Sequence, residues 1–190
     1  MARSWATLLI AVAAGLAFAW PGLASLLIYE RAGLLAGQAW RLWTGHLVHF
    51  NSRHLLLDLA VFLPAGVWLE LITPRLARGF YLLTPPAVSA ALLLFDSTLI
   101  RYAGLSGIAT GLLVLLALVQ LRRKAGEPPW FWLGVLLLVA VKTAVEAVAP
   151  GPLFVRFDPG VRAVPLAHVG GIVCALMAFI SARPRCARAP

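Results

Sequence analysis

Residues 102–121 read Tyr102-Ala-Gly104-Leu-Ser106-Gly107-Ile-Ala-Thr110-Gly111-Leu-Leu-Val-Leu-Leu-Ala-Leu-Val-Gln-Leu121, without one charged side chain. As an α-helix such a stretch crosses a hydrocarbon layer about 30 Å thick. Runs of the same kind lie on either side, from Trp5 to Ile28, Leu55 to Ile72, Phe80 to Phe95, Trp130 to Val148 and Pro165 to Ile180. The pattern predicts an all-α, polytopic membrane protein of six helices, over 5–28, 55–72, 80–95, 102–121, 130–148 and 165–180, in a single domain spanning 1–190. Composition agrees: the 190 residues are 62% hydrophobic and 12% charged, and the mean hydropathy is +0.91. Soluble chains are about half apolar and a quarter charged, and disorder needs low hydropathy, so both classes are excluded. The first run is too long for a signal-peptide core and no small-residue cleavage site follows it, so it reads as a retained span.

The net charge of +9 marks topology here, and no nucleic-acid partner is expected. Arg3, Arg75, Arg78, Arg122, Arg123, Lys124, Arg183, Arg185 and Arg188 put nine basic residues on the N-terminal side; Arg31, Arg41, Arg53, Arg101, Arg156 and Arg162 put six on the other. Basic residues concentrate in short cytoplasmic segments. Both termini are therefore expected in the cytoplasm, with a basic tail at 181–190 and a long outer loop at 29–53. Short inner connections are expected at 73–79 and 122–129. The second, fourth and sixth spans then enter from the outer face. Cys174 and Cys186 have no metal-type spacing and read as free thiols.

Ionisable and polar residues at membrane depth are candidates for function. They are His54 and Asp58 in the second span, Ser106 in the fourth, Lys142 and Glu146 in the fifth and His168 in the sixth, with Glu70 near the inner end of the second. At 1.5 Å per residue, Ser106 is expected about 6 Å below the outer end of its span. His168 lies about three residues down its own, and His54 at the mouth of the second. Gly107 and Gly111, and Ala167, Gly171 and Ala175, form small-residue stripes that let two membrane helices approach closely. An imidazole touching a hydroxyl suffices for nucleophilic catalysis, taking the proton during attack on a carbonyl and returning it to the leaving amine. Ser106 stands in the first helical turn, where free N–H groups favour developing negative charge. His54 and Asp58, four apart on one face, are candidate donors to the same charge.

Structural readings compete with these. Serines in membrane helices commonly bond their own backbone, His46 and His49 read as loop residues, and Lys142 with Glu146 most simply neutralise each other. The histidines lack metalloprotease spacing, so neither a metal nor an organic cofactor is expected. Asp58, Lys142 and Glu146 also raise a small transporter, against which no inverted repeat is present.

Taken together, Trp40-Arg41, His49, His54-Leu-Leu-Leu-Asp58, Glu70, Gly104-Leu105-Ser106-Gly107 and Ala167-His168-Val169-Gly170-Gly171 resemble, in order and placement, the rhomboid intramembrane serine proteases. The run Trp40-Arg41-Leu42-Trp43-Thr44-Gly45-His46-Leu47-Val48-His49 and the compact six-helix form are most similar to the rhombosortase branch of bacterial rhomboids. The resemblance implies a rhomboid-like bundle in a bacterial inner membrane with its site open to the outer side. Ser106 would be the nucleophile, His168 the general acid and base, and His54 with the Ser106 N–H the oxyanion hole. Gly104 and Gly107 would support the site; Trp40, Arg41, His49 and Glu70 would be structural. The partners implied are the lipid bilayer and transmembrane segments of protein substrates, cut near a Gly-Gly pair before a C-terminal anchor. Nothing in the sequence sets an oligomeric state. A non-catalytic, client-binding relative is the alternative within the family.

Two positions depart from the pattern. Asp58 stands where Asn is common, and is expected either to be protonated and donating or to turn toward a basic group such as His54. Thr110 replaces an aromatic ring that packs on the histidine, which leaves the orientation of His168 to another group.

Overall fold

A computed structural model describes residues 4–123, 127–148 and 164–182. Arg3, Lys124, Arg156, Arg162, Cys186 and the tail arginines Arg183, Arg185 and Arg188 lie outside the described residues.

Proline shapes the first run. Pro21 has no N–H to continue a helix and holds the residue before it extended; Trp20 accordingly has φ −122° and ψ 94°. The expected single helix over 5–28 is therefore two, α1 (Trp5–Ala19) and α2 (Pro21–Leu27), bent by 116°. The chain continues through β1 (Tyr29–Glu30), α3 (Arg31–Leu35), α4 (Arg41–Thr44) and a 3-10 turn (Gly45–Leu47) to α5 (Ser52–Ile72). Then follow α6 (Pro74–Phe95), β2 (Arg101–Tyr102), α7 (Ser106–Arg123), α8 (Pro129–Val148) and α9 (Pro165–Ser181). Pro74 at the first helical position starts α6 at once, so Thr73 alone joins it to α5 where a connection over 73–79 was expected.

Among the described residues four helices, α5 to α8, are long and apolar enough to cross a bilayer, five if the bent pair counts as one span. The last expected span is α9, apolar but only 17 residues long. The six expected spans thus become four full ones, a broken one and a short one.

The outer loop expected at 29–53 is folded back on the bundle by hydrogen bonds to carbonyls that helix ends and prolines leave free. Arg41 donates to the Ser25 and Ile28 carbonyls at 3.3 and 2.6 Å, Trp40 Nε1 to Leu26 at 3.2 Å and Thr44 Oγ1 to Leu27 at 2.7 Å. These are the last carbonyls of α2 and its exit, which have no partner within the helix. Pro86, inside α6, cannot donate to the Leu82 carbonyl four residues back; Trp43 Nε1 does so instead, at 2.9 Å. At the far end of α5, buried Glu70 accepts from the Ala6 and Thr7 amides at 3.3 and 2.9 Å, from Thr7 Oγ1 at 2.9 Å and from Arg78 Nε at 2.9 Å. A carboxylate there suits the positive end of α1 and ties α1, α5 and α6 together.

The most buried span is α7, and its largest interface is with α9. A Cβ on Gly107 would stand 2.7 Å from the Ala167 carbonyl oxygen, one on Gly111 would strike the Gly171 carbonyl, and one on Gly171 the Gly107 carbonyl. Ala175 continues the stripe and is fully buried. Gly171→Ala is expected to cost about 1–3 kcal/mol by overpacking, read as a lower melting temperature in detergent. Gly134→Ala, where an added Cβ meets nothing within 4 Å, should leave the melting temperature unchanged; equal effects of the two would contradict this packing.

Candidate active site

Ser106 is brought into place by an extended segment. Tyr102, expected to open the fourth span, pairs antiparallel with the first loop together with Arg101, Tyr29 opposite Tyr102 and Glu30 opposite Arg101. The helix starts four residues later than expected, so Ser106 is the first residue of α7 and stands at its mouth. Between strand and helix, Gly104 turns the chain at φ +121°, a conformation open to glycine and strained for other residues. Tyr102 Oη donates to the Gly104 carbonyl at 3.1 Å. A Cβ on Gly104 would also lie 2.6 Å from His54 Nε2 and 3.2 Å from Asp58 Oδ2. Glycine thus lets the α5 side chains press against the serine loop.

His168, in the first turn of α9, faces Ser106 across the small-residue contact, with Nε2 3.1 Å from Ser106 Oγ. Its other nitrogen, Nδ1, is 2.8 Å from Glu146 Oε2 on α8. A carboxylate accepts, so Nδ1 carries the proton and Nε2 presents a lone pair to the serine hydroxyl. That is the tautomer a general base requires. Lys142 Nζ bonds both oxygens of the same carboxylate at 2.8 Å. The expected Lys142–Glu146 pair is present, but the contact of Glu146 with His168 was not foreseen. Depth is the signal that would have found it: residue 146 is two positions from the outer end of its span, the level assigned to Ser106 and His168.

Behind the serine loop, buried His49, His54 and Asp58 form a second cluster. Asp58 Oδ2 is 3.1 Å from His49 Nε2 and 3.5 Å from His54 Nε2. This is the arrangement in which Asp58 turns toward basic groups, with His49 the nearer. His49 Nδ1 lies 3.1 Å from the Leu47 carbonyl, which only accepts, so Nδ1 is protonated. The Leu105 amide also points at His49 Nε2, at 3.4 Å, linking this cluster to the residue before Ser106. His46, expected in the loop, is buried beside Tyr102 and donates from Nε2 to the Pro85 carbonyl at 3.0 Å. Burial pushes its pKa down to about 4, so it stays neutral and structural. Among the described residues, no group of three or more His, Cys, Asp or Glu is placed to hold a metal.

The family model of the Rhomboid domain matches residues 36–184, most of the chain and the whole of both clusters. The chain belongs to the rhomboid family. Its members are generally intramembrane serine proteases that act on transmembrane segments within the bilayer, and non-catalytic relatives exist. No curated protein matches the chain. Membership makes this a multi-pass integral membrane protein.

In this rhomboid the two departures have local explanations. Thr110 is buried on α7, and the contact on the far side of the His168 ring comes from Glu146. Asp58 is held by His49, and an amide at that position can donate to the same nitrogen. Asp58→Asn should therefore keep the stability within about 1 kcal/mol of wild type, whereas Asp58→Leu, which removes the side-chain partner of buried His49 Nε2, should lose about 1–3 kcal/mol. Thermal unfolding of the purified variants checks this; an equal loss in both would show that the charge itself is required.

Proposed function

We propose that this rhomboid is a serine endopeptidase cutting single-span or C-terminally anchored proteins at the outer side of a bacterial inner membrane, its termini in the cytoplasm. The observation that carries the reading is the 3.1 Å contact of Ser106 Oγ with His168 Nε2 at the mouth of α7. Nε2 takes the hydroxyl proton as Oγ attacks the scissile carbonyl, and the tetrahedral oxygen gains negative charge. First-turn N–H groups of α7, with His54 beside the loop, are the donors to that charge. The imidazolium gives its proton to the leaving amine, and an ester with Ser106 remains. Water then loses a proton to Nε2 and opens the ester, and that proton passes to the departing Ser106 Oγ.

A scissile peptide held in a helix is closed to attack, and glycine weakens a helix where it stands. That supports substrates with Gly-Gly just before an apolar anchor and basic tail, the class implied by the Trp40–His49 run. The test uses proteoliposomes containing the chain and a reporter with such an end. Cleavage at the Gly-Gly side of the anchor is expected, reduced about 10³-fold or more in Ser106→Ala and in His168→Ala. Replacing Gly-Gly by Val-Val should slow it by about tenfold or more. Uncut reporter bound by folded wild type would instead establish a client-binding protein.

A further inference from the structure

Glu146 and Lys142 are one turn apart on α8, yet Glu146 reaches past its own helix to α9. Its side chain is 9% exposed and that of His168 10%. A charge held largely out of water is costly unless it is paired and hydrogen-bonded, and a pair whose only task is neutralisation has no need of a third partner. The carboxylate spends one lone pair on the nitrogen of His168 that does not face the serine.

We propose that Glu146 is a positioning residue that makes the Ser106–His168 pair a Ser–His–Glu triad, and that Lys142 holds the Glu146 carboxylate against the imidazole. The proposal rests on the protease reading above. Glu146 holds the Nδ1–H tautomer, so the Nε2 lone pair always faces Ser106 Oγ. During attack the proton passes from Oγ to Nε2 and later to the leaving amine. The carboxylate takes no proton; it faces the imidazolium that forms and offsets its charge. Lys142, bonded to both oxygens, keeps the carboxylate from swinging out of α9's reach.

The ammonium gives a specific prediction for the amide. In Glu146→Gln, Lys142 needs an acceptor and takes the amide oxygen, which leaves the NH2 group toward His168 Nδ1. The NH2 donates to Nδ1, the imidazole shifts to the Nε2–H tautomer, and the serine proton has no acceptor. The kcat should fall about 10²- to 10⁴-fold, with KM within about threefold because Glu146 acts through His168. In Glu146→Gln combined with Lys142→Met the amide is free to turn, its oxygen can accept from Nδ1–H, and kcat should recover by about tenfold or more over the single variant.

Nitrogen-15 NMR of His168 in the detergent-solubilised protein reads the tautomer without turnover. Nδ1–H in wild type, Nε2–H in Glu146→Gln and Nδ1–H again in the double variant is the expected series. An unchanged tautomer in Glu146→Gln, a kcat within about threefold of wild type, or a double variant no better than the single would overturn the proposal. Wild type inactive on every reporter, but with the tautomer series intact, would overturn the protease reading and leave Glu146 as the residue that orients His168.

Discussion

Backbone contact between α7 and α9 is the constraint on which the site depends. Gly107 and Gly111 on one helix meet Ala167 and Gly171 on the other so closely that added methyl groups would fall on carbonyl atoms. Only at this separation does an imidazole in the first turn of α9 reach a hydroxyl at the start of α7. Lipid gives apolar side chains no reason to prefer one another, so close packing of small residues is what can fix two helices in register. The Ser106–His168 distance is thus a consequence of glycines and alanines that carry no chemistry themselves.

A second constraint is that backbone polar groups away from water need partners. α2 ends at Leu27 and Pro86 removes a donor from the ladder of α6, and the Trp40–Thr44 segment supplies the missing donors: Arg41, Trp40 and Thr44 at the exit of α2, Trp43 at Leu82. The same segment leads to His46 and His49, which support Tyr102 and the amide of Leu105. The first loop is therefore joined, bond by bond, to the segment that carries the serine. At the other end Glu70 closes α1 against α5 and α6.

Much of this was legible in the residues, for physical reasons. Helical apolar runs are long and uniform, so the spans from α5 to α8 were visible, as were the two small-residue stripes. Ser106 and His168 stood out because few other polar residues occur at that level. What was missed depends on contacts distant in sequence. The bend at Pro21 is hidden in the sequence because the apolar run continues without a break across the proline. The late start of α7 follows from a two-residue strand pair between Tyr29–Glu30 and Arg101–Tyr102, which has no periodicity to detect. Lys142, four residues from Glu146, accounts for its charge within one helix, and the contact with His168 depends on how α8 packs on α9.

The central claim is that Ser106 is an activated nucleophile. The most direct measurement is reaction of the purified, detergent-solubilised protein with a fluorophosphonate, followed by peptide mass spectrometry to locate the adduct, since only an activated serine reacts readily. The account predicts a single adduct on Ser106 that disappears in His168→Ala. Folded wild type without an adduct, or with the adduct on another serine, would contradict it.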